Sequence, residues 1–345
     1  MCTSPLKGFP YGKTAKGKTN YIICSSDVHH VEITKNGKIL RAPDRFVSDY
    51  SHKLIFNYDT IPCGQCLECR LEYSRKWADR MILEAQKHDE NCFLTLTYDD
   101  QHIPVVDSVN SETGEVVKVK TLVKRDIQLF MKRIRKELSP LKIRYYACGE
   151  YGDQTLRPHY HLIIFGWKPD ESDLTSLGMS ELNNCYYSSG LISKLWPYGN
   201  NLAAECSYES CAYVARYVVK KADKFVNKTF YEQNNIAPEF VLMSRRPGIG
   251  AEWIEAHKDC YANFSSNYIA LDTGSRRISP NRYYDTFLEK YDNDLYDEIK
   301  KNRKEFARKK NKLLHHTTTL SDIELGSNHE RNLKKRTQIL ERSKI

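Results

Sequence analysis

The sequence predicts an α+β protein: a central antiparallel sheet with helices packed on it, a Cys-rich segment before it and a helical extension after it. Three observations carry this. Between residues 92 and 166 the apolar strand patterns are separated by one helical pattern and by short turns, a spacing that favours antiparallel neighbours. Hydrophobic residues are 40% of the 345 positions, enough for a sizeable core. No run of about 18 apolar residues occurs, so the sequence offers no membrane-spanning helix.

Residues 1 to about 62 read as irregular structure with one hairpin, because Asn36-Gly37 divides two short alternating runs. From Leu67 to Lys87 the pattern is helical, with Leu71, Trp77, Met81 and Ile82 facing inward. "CFLTLTYDD", Cys92 to Asp100, is a strand, and a more exposed hairpin turns near Thr113-Gly114. "KRDIQLFMKRIRKEL" is an amphipathic helix in which Ile127, Phe130, Met131, Ile134 and Leu138 recur at 3 and 4, and Pro140 stops it. "KIRYYACGE" and "PHYHLIIFG" are two strands joined by "YGDQTLR". A Ser/Asn-containing stretch, 168 to about 187, precedes the helix "SYESCAYVARYVVKKADKF", which Ser207 caps and whose lysines cluster toward its C-terminus. "SRRPGIG" is a basic turn, and beyond about 291 the chain is a charged tail, a solvated helix or partly disordered segment. The expected division is 1–90 for the N-terminal segment, 91–226 for the core, 227–290 for its C-terminal part and 291–345 for the tail.

Lysine and arginine number 53 against 44 acids, a net charge of +9, which suits an anionic partner without specifying one. Tyrosine is abundant at 23 residues, and can stack on bases or fill a core. The first residues are basic without an apolar stretch, so no secretory signal is expected. Eleven cysteines, three of them clustered, favour thiols or a metal site in a reducing compartment over a disulfide framework.

Two imidazoles flank Tyr160 at the start of an apolar strand. Alternation puts His159 and His161 on one face, about 6.6 Å apart, a spacing that suits two ligands of one metal and equally two polar residues at a strand end. Folding the loop from Tyr151 to Pro158 returns Glu150 opposite His159, so two imidazoles and a carboxylate converge. Such a set leaves coordination positions open for chemistry. On the later helix, Tyr213 and Tyr217 share a face, either as core tyrosines or as nucleophiles, and Lys220 follows on that face. A free phenol, with its pKa near 10, attacks phosphorus poorly unless a cation assists.

The order "FLTLTYDD", "RPHYHLIIFG", "YVARYVVKK" resembles the three motifs of the HUH endonuclease superfamily, named for His-hydrophobic-His. The wider pattern, including "PCGQCLECRLEYSRKWADR" and "MSRRPGIG", is similar to the replication initiators of microviruses, especially the gokushovirus branch, over roughly residues 60 to 290. The resemblance implies an HUH/RRM-like core that nicks single-stranded origin DNA through a 5′-phosphotyrosine, leaves a 3′-OH primer and later rejoins the displaced strand. It implies Mg²⁺ or Mn²⁺ on His159 and His161 with Glu150 as third ligand, attack by Tyr213 and Tyr217, and assistance by Lys220. It also implies a bacterial host's cytoplasm, helicase and polymerase, and the sequence has no GxxxxGK[ST] motor loop of its own.

Cys63, Cys66 and Cys69 form C-x₂-C-x₂-C, one thiolate short of a tetrahedral zinc site, with Cys2 or Cys24 as the fourth; reduced thiols at a helix start are the simpler reading. Cys92 and Cys148, in apolar strands, are expected in the core. Arg245 and Arg246 are candidates for DNA contact. A single-stranded nucleic-acid-binding module without chemistry, and a zinc hydrolase that activates water, are the rival functions.

Overall fold

The computed structural model describes residues 2–15, 17–41, 53–109, 113–152, 155–179, 185–220, 224–257, 268–271, 274–278, 281–320 and 322–342; for 217–220, 224–228, 268–271, 274–277, 311, 314–315, 322–323 and 338–342 only the backbone is described. The chain divides into two units, Met1–Arg70 with Leu314–Lys344, and Leu71–Leu313.

In the first unit β1 (Leu6–Lys13), β2 (Thr19–Cys24) and β6 (Asp59–Ile61) form a sheet in the order β2-β1-β6, and β3 (Val31–Ile33), β4 (Ile39–Arg41) and β5 (Lys53–Ile55) form another in the order β4-β3-β5. The expected hairpin is β3-β4, where Gly37 takes a left-handed φ of 72°. The region is otherwise more regular than expected: very short strands give too few residues for alternation to register. Its core is small, comprising Phe9, Ile22, Cys24, Val28, Val31 and Ile55.

Helix α1 (Leu67–Ala85) leads into the second unit, whose sheet begins with β7 (Asn91–Tyr98). The exposed hairpin β8 (Val105–Val109) and β9 (Val116–Lys120) follows, then α2 (Lys124–Glu137), β10 (Arg144–Tyr151) and β11 (Pro158–Phe165). Residues 171–205 hold β12 (Leu174–Met179), β13 (Cys185–Ser189), α3 (Gly190–Leu195) and β14 (Gly199–Glu205). Sequence patterning assigns no strand there, because β12 is almost wholly exposed and shows no apolar alternation. Next come α4 (Tyr208–Lys220), α5 (Lys224–Gln233), β15 (Phe240–Met243), α6 (Ala251–Ala256), the pair β16 (Tyr268–Leu271) and β17 (Gly274–Arg277), and α7 (Arg282–Tyr291). The one helix expected over 207–225 is thus two helical segments; no Gly or Pro marks the division. The tail is helical, in α8 (Asn293–Thr317) and α9 (Asp322–Arg342). Among the described residues no helix is long and apolar enough to cross a membrane.

The main sheet has the order β12-β13-β14-β7-β11-β10-β15, every neighbour antiparallel. One face carries Leu94, Leu96, Tyr160, Leu162 and Ile164 against α2 and α3; the other carries Phe93, Tyr146, Cys148, Ile163 and Phe165 against α1 and α4. β11 is covered on both sides, which explains its nearly continuous apolar run. On the α2 face, Tyr160 Oη meets Tyr98 Oη at 2.8 Å and accepts from Val123 N, while Tyr98 Oη donates to Asp126. These bonds satisfy buried hydroxyls and pin the start of α2 to the strands.

Helix α1 buries charge as well as apolar surface. Glu84 pairs with Arg144 and accepts from Gly250 N at 2.6 Å, while Arg80 donates to Ile249 O and stacks between Trp77 and Tyr283. Arg144 also donates to Pro247 O, so the basic turn after β15 is clamped from beneath. Burial pushes the Glu84 carboxyl upward, but its bonds to His88 and Gly250 and the Arg144 charge outweigh that and hold it below the ordinary glutamate value.

A carboxyl lowered in the folded state contributes stability above its unfolded pKa of about 4.3, and that contribution is lost as pH falls through the folded value. Glu84→Gln is therefore expected to lower stability at pH 7 by roughly 3–5 kcal/mol, because Arg144 loses its buried partner. Its loss of stability in acid should also be shallower than the wild type's. Urea midpoints measured from pH 7 down to pH 3 check both.

Candidate metal-binding active site

The site is built by strand register. β10 and β11 pair with Glu150 opposite His159 and Cys148 opposite His161, as the sequence predicts; β7 adds Thr97 beside His159 and Thr95 beside His161. All these side chains share the α1/α4 face by alternation. Between Cys148 and Glu150, Gly149 has no room for a side chain: a Cβ would lie 2.9 Å from the Phe240 ring and 3.1 Å from Tyr160.

Glu150 Oε1 lies 2.5 Å from His159 Nε2 and 2.8 Å from His161 Nε2. Burial pushes the Glu150 carboxyl up, yet the hydrogen bonds and charges of the two histidines prevail and hold it at about 2. His159 Nδ1 is 3.1 Å from the Arg157 carbonyl, which can only accept, so Nδ1 carries a proton. His161 Nδ1 is held likewise, 2.9 Å from Thr95 Oγ1. That arrangement turns both Nε2 atoms toward one carboxylate oxygen. A nitrogen lone pair and a carboxylate approach so closely only when a cation, a proton or a metal ion, serves both. The three ligand atoms lie within 4.8 Å of one another, and two imidazoles with a carboxylate suit a divalent cation with open positions.

Helix α4 brings the nucleophile candidate. Its N-terminus is fixed by the reciprocal bonds Ser210 N to Ser207 Oγ and Ser207 N to Ser210 Oγ, which bears out the cap expected of Ser207. Cys211, Val214 and Ala215 pack onto the sheet, and Tyr213 falls between them with its hydroxyl 3.4 Å from His161 Nε2. The Tyr213 ring meets the His161 ring edge-on at 4.9 Å, and Phe93 stacks on His161 from another side. Tyr217 and Lys220 lie on the same helix, four and seven residues further on; their side chains are outside the described residues.

Three contributors escape the sequence reading. Thr95 orients His161, and Phe93 flanks it. Arg216 sets its guanidinium 5.3 Å from the Tyr213 ring centre, a cation beside the phenol. Only Arg216 left a signal, its spacing of three from Tyr213; Thr95 and Phe93 depend on strand order.

Arg245 and Arg246 do not join this cluster. They are exposed on the turn after β15, beside Tyr145, about 17 Å along the sheet from Glu150 by strand rise. In the first unit Cys2, Cys63, Cys66 and Cys69 do converge, with their sulfurs within 4.8 Å of one another, so the fourth thiol is Cys2; Cys24 is instead in the apolar core. Cys92 and Cys148 are buried in the core as expected.

A helix-flanked antiparallel sheet with paired imidazoles, a carboxylate and an adjoining phenol defines a protein equipped for metal-assisted chemistry. The family model for the replication-associated protein ORF2 matches residues 91–222, the span from β7 through α4 that carries every one of these groups. Replication-associated protein VP4 of Bdellovibrio phage phiMH2K is 35% identical over 239 residues, covering 67% of this chain and 68% of that protein. Replication-associated protein ORF2 of Spiroplasma virus 4 is 32% identical over 267 residues, 76% and 78% of the two chains. Replication-associated protein ORF4 of Chlamydia phage 1 is 34% identical over 166 residues, 47% of this chain and 38% of that one. No solved structure matches the chain. The chain belongs to this family of viral replication-associated proteins.

Thr95→Val should lower Mn²⁺ affinity about 10–100-fold, by freeing the His161 ring to turn. Glu150→Gln should lower it further. Titration followed by the electron paramagnetic resonance of free Mn²⁺ measures both, and an unchanged Thr95→Val affinity would remove the orienting role.

Proposed function

We propose that this protein initiates rolling-circle replication by nicking single-stranded origin DNA through a 5′-phosphotyrosine, and that it later rejoins the ends of the displaced strand. The observation that carries this is the Tyr213 hydroxyl, 3.4 Å from His161 Nε2 at the edge of the Glu150/His159/His161 group. Family membership supports the same reading. In it, residues 91–226 carry the catalytic core and 227–290 complete it.

Tyr213 Oη attacks the scissile phosphorus as its phenolic proton departs. The bond from phosphorus to the 3′ oxygen breaks, that oxygen takes a proton, and a 3′-OH primer is released while the 5′ phosphate stays on the tyrosine. Arg216 favours the phenolate by its charge, and Lys220 is placed on α4 to serve the same end or to hold the phosphate. When bound, Mg²⁺ or Mn²⁺ polarises the phosphate oxygens and offsets the charge that develops on them. Glu150 and the two Nε2 atoms hold that ion, and Thr95 and the Arg157 carbonyl keep the imidazoles turned toward it.

After a round of synthesis, Tyr217 attacks the regenerated origin in the same way. The 3′-OH so released attacks the Tyr213 phosphodiester, restores the phenol and joins the strand. Each step exchanges one phosphodiester for another, so rejoining requires no nucleotide hydrolysis. The sequence has no motor loop, and unwinding falls to a host helicase with a host polymerase extending the primer.

An origin oligonucleotide labelled on the 3′ side of the nick tests this: with Mn²⁺ the protein is expected to give an adduct that survives denaturant. Tyr213→Phe with Tyr217→Phe should abolish the adduct, and His159→Ala with His161→Ala should reduce it at least 100-fold (~2.7 kcal/mol in the barrier). A full yield from the double phenylalanine variant sinks the proposal. Cleavage without any adduct assigns a water-activating hydrolase, and binding without cleavage a non-catalytic module.

A further inference from the structure

We infer that the first unit is organised around one structural zinc ion held by Cys2, Cys63, Cys66 and Cys69. The four sulfurs lie within 4.8 Å of one another, and the Cys2 and Cys66 sulfurs are 3.7 Å apart. A tetrahedron with zinc–sulfur bonds of about 2.3 Å has edges of about 3.8 Å. The observed separation is that edge, and is far from the roughly 2.05 Å of a disulfide.

The backbone around the sulfurs is arranged for thiolates. Cys63 Sγ accepts from Gln65 N at 3.4 Å and Cys66 N at 3.2 Å, and Cys2 Sγ accepts from Cys63 N at 3.3 Å. Gly64 makes the turn possible, since it takes a φ of 74° that other residues avoid. Cys66 immediately precedes α1 and Cys69 lies in its first turn, where the helix dipole favours negative charge. The chain start is held in place elsewhere too: Thr3 O packs so closely on α9 that a Cβ at position 326 would come within 2.6 Å of it, and Gly326 supplies none.

The donor set also selects the ion. Four thiolates prefer zinc to the hard cations that suit Glu150, His159 and His161, so the two sites do not share a metal. Four protein ligands leave no position for a substrate, which makes the ion structural. The unit needs such a staple. Its six-residue apolar core is that of a mini-domain, and cores of this size are ordinarily supplemented by a metal or by disulfides. Zinc here is independent of the strand-nicking reading.

Elemental analysis of the full-length protein with its native N-terminus is expected to find one tightly held zinc per chain. His159→Ala with His161→Ala should keep it, and Cys66→Ser with Cys69→Ser should lose it. Replacing zinc by Co²⁺ should give the intense sulfur-to-cobalt absorption of a tetrahedral thiolate site, weakened in Cys2→Ser. Should the cysteine variants fail to fold, alkylation of the wild type decides: the four thiols should resist until a chelator is added. Zinc retained by the serine pair or lost with the histidines, iron in its place, or protection released by a reductant and not by a chelator would each overturn the inference.

Discussion

The pairing of β10 with β11 is the constraint on which the site depends. Side chains alternate in a strand, so a slip of one residue would carry both imidazoles to the opposite face, among Leu94, Leu96 and the α2 core. What prevents the slip is burial on both faces. Tyr160, Leu162 and Ile164 fill one side while Ile163 and Phe165 fill the other, and each set is sized for its own cluster. Tyr160 adds direction, since its hydroxyl is satisfied only where Tyr98 and Val123 wait for it. The residue between the two histidines therefore holds the strand in the register that makes them neighbours of Glu150.

The sheet's helices are tied down by polar networks as much as by apolar contact. At one end Asp126, Tyr98 and Tyr160 attach α2; at the other Glu84, Arg144 and Arg80 join α1 to the strands and to the turn after β15. Charges buried in this way are costly unless paired, and here each has a partner placed by a different segment. The consequence is a rigid α1/α4 face, which a site needs if a phenol and three ligand atoms are to stay within a few ångströms.

Two donor sets divide the metal chemistry by hardness. Carboxylate and imidazole with open positions suit a cation that acts on phosphate; closed thiolates suit one that only holds the chain together. The difference is legible in ligand type before any distance is measured, and the distances agree with it: nitrogens turned on one oxygen in the first case, a sulfur tetrahedron edge in the second.

Much of the architecture was open to reading because local rules governed it. The pattern Ile127, Phe130, Met131, Ile134 has one helical solution, Asn36-Gly37 one hairpin solution, and a loop from Tyr151 to Pro158 returns Glu150 to His159 whatever surrounds it. The strands between 174 and 205 were hidden because exposed or short strands carry no alternation, and the buried Arg80 and Glu84 because periodicity reads polar residues as solvent-facing. Thr95, Phe93 and the choice of Cys2 over Cys24 join residues far apart in the chain, and nothing local encodes such meetings. The sequence by itself determined which side chains share a strand face or a helix face, since backbone geometry alone sets those periods. Only the tertiary structure decided that Tyr213 meets His161 and that Cys2 completes the thiol group, because those depend on how separately formed elements bury one another's surfaces.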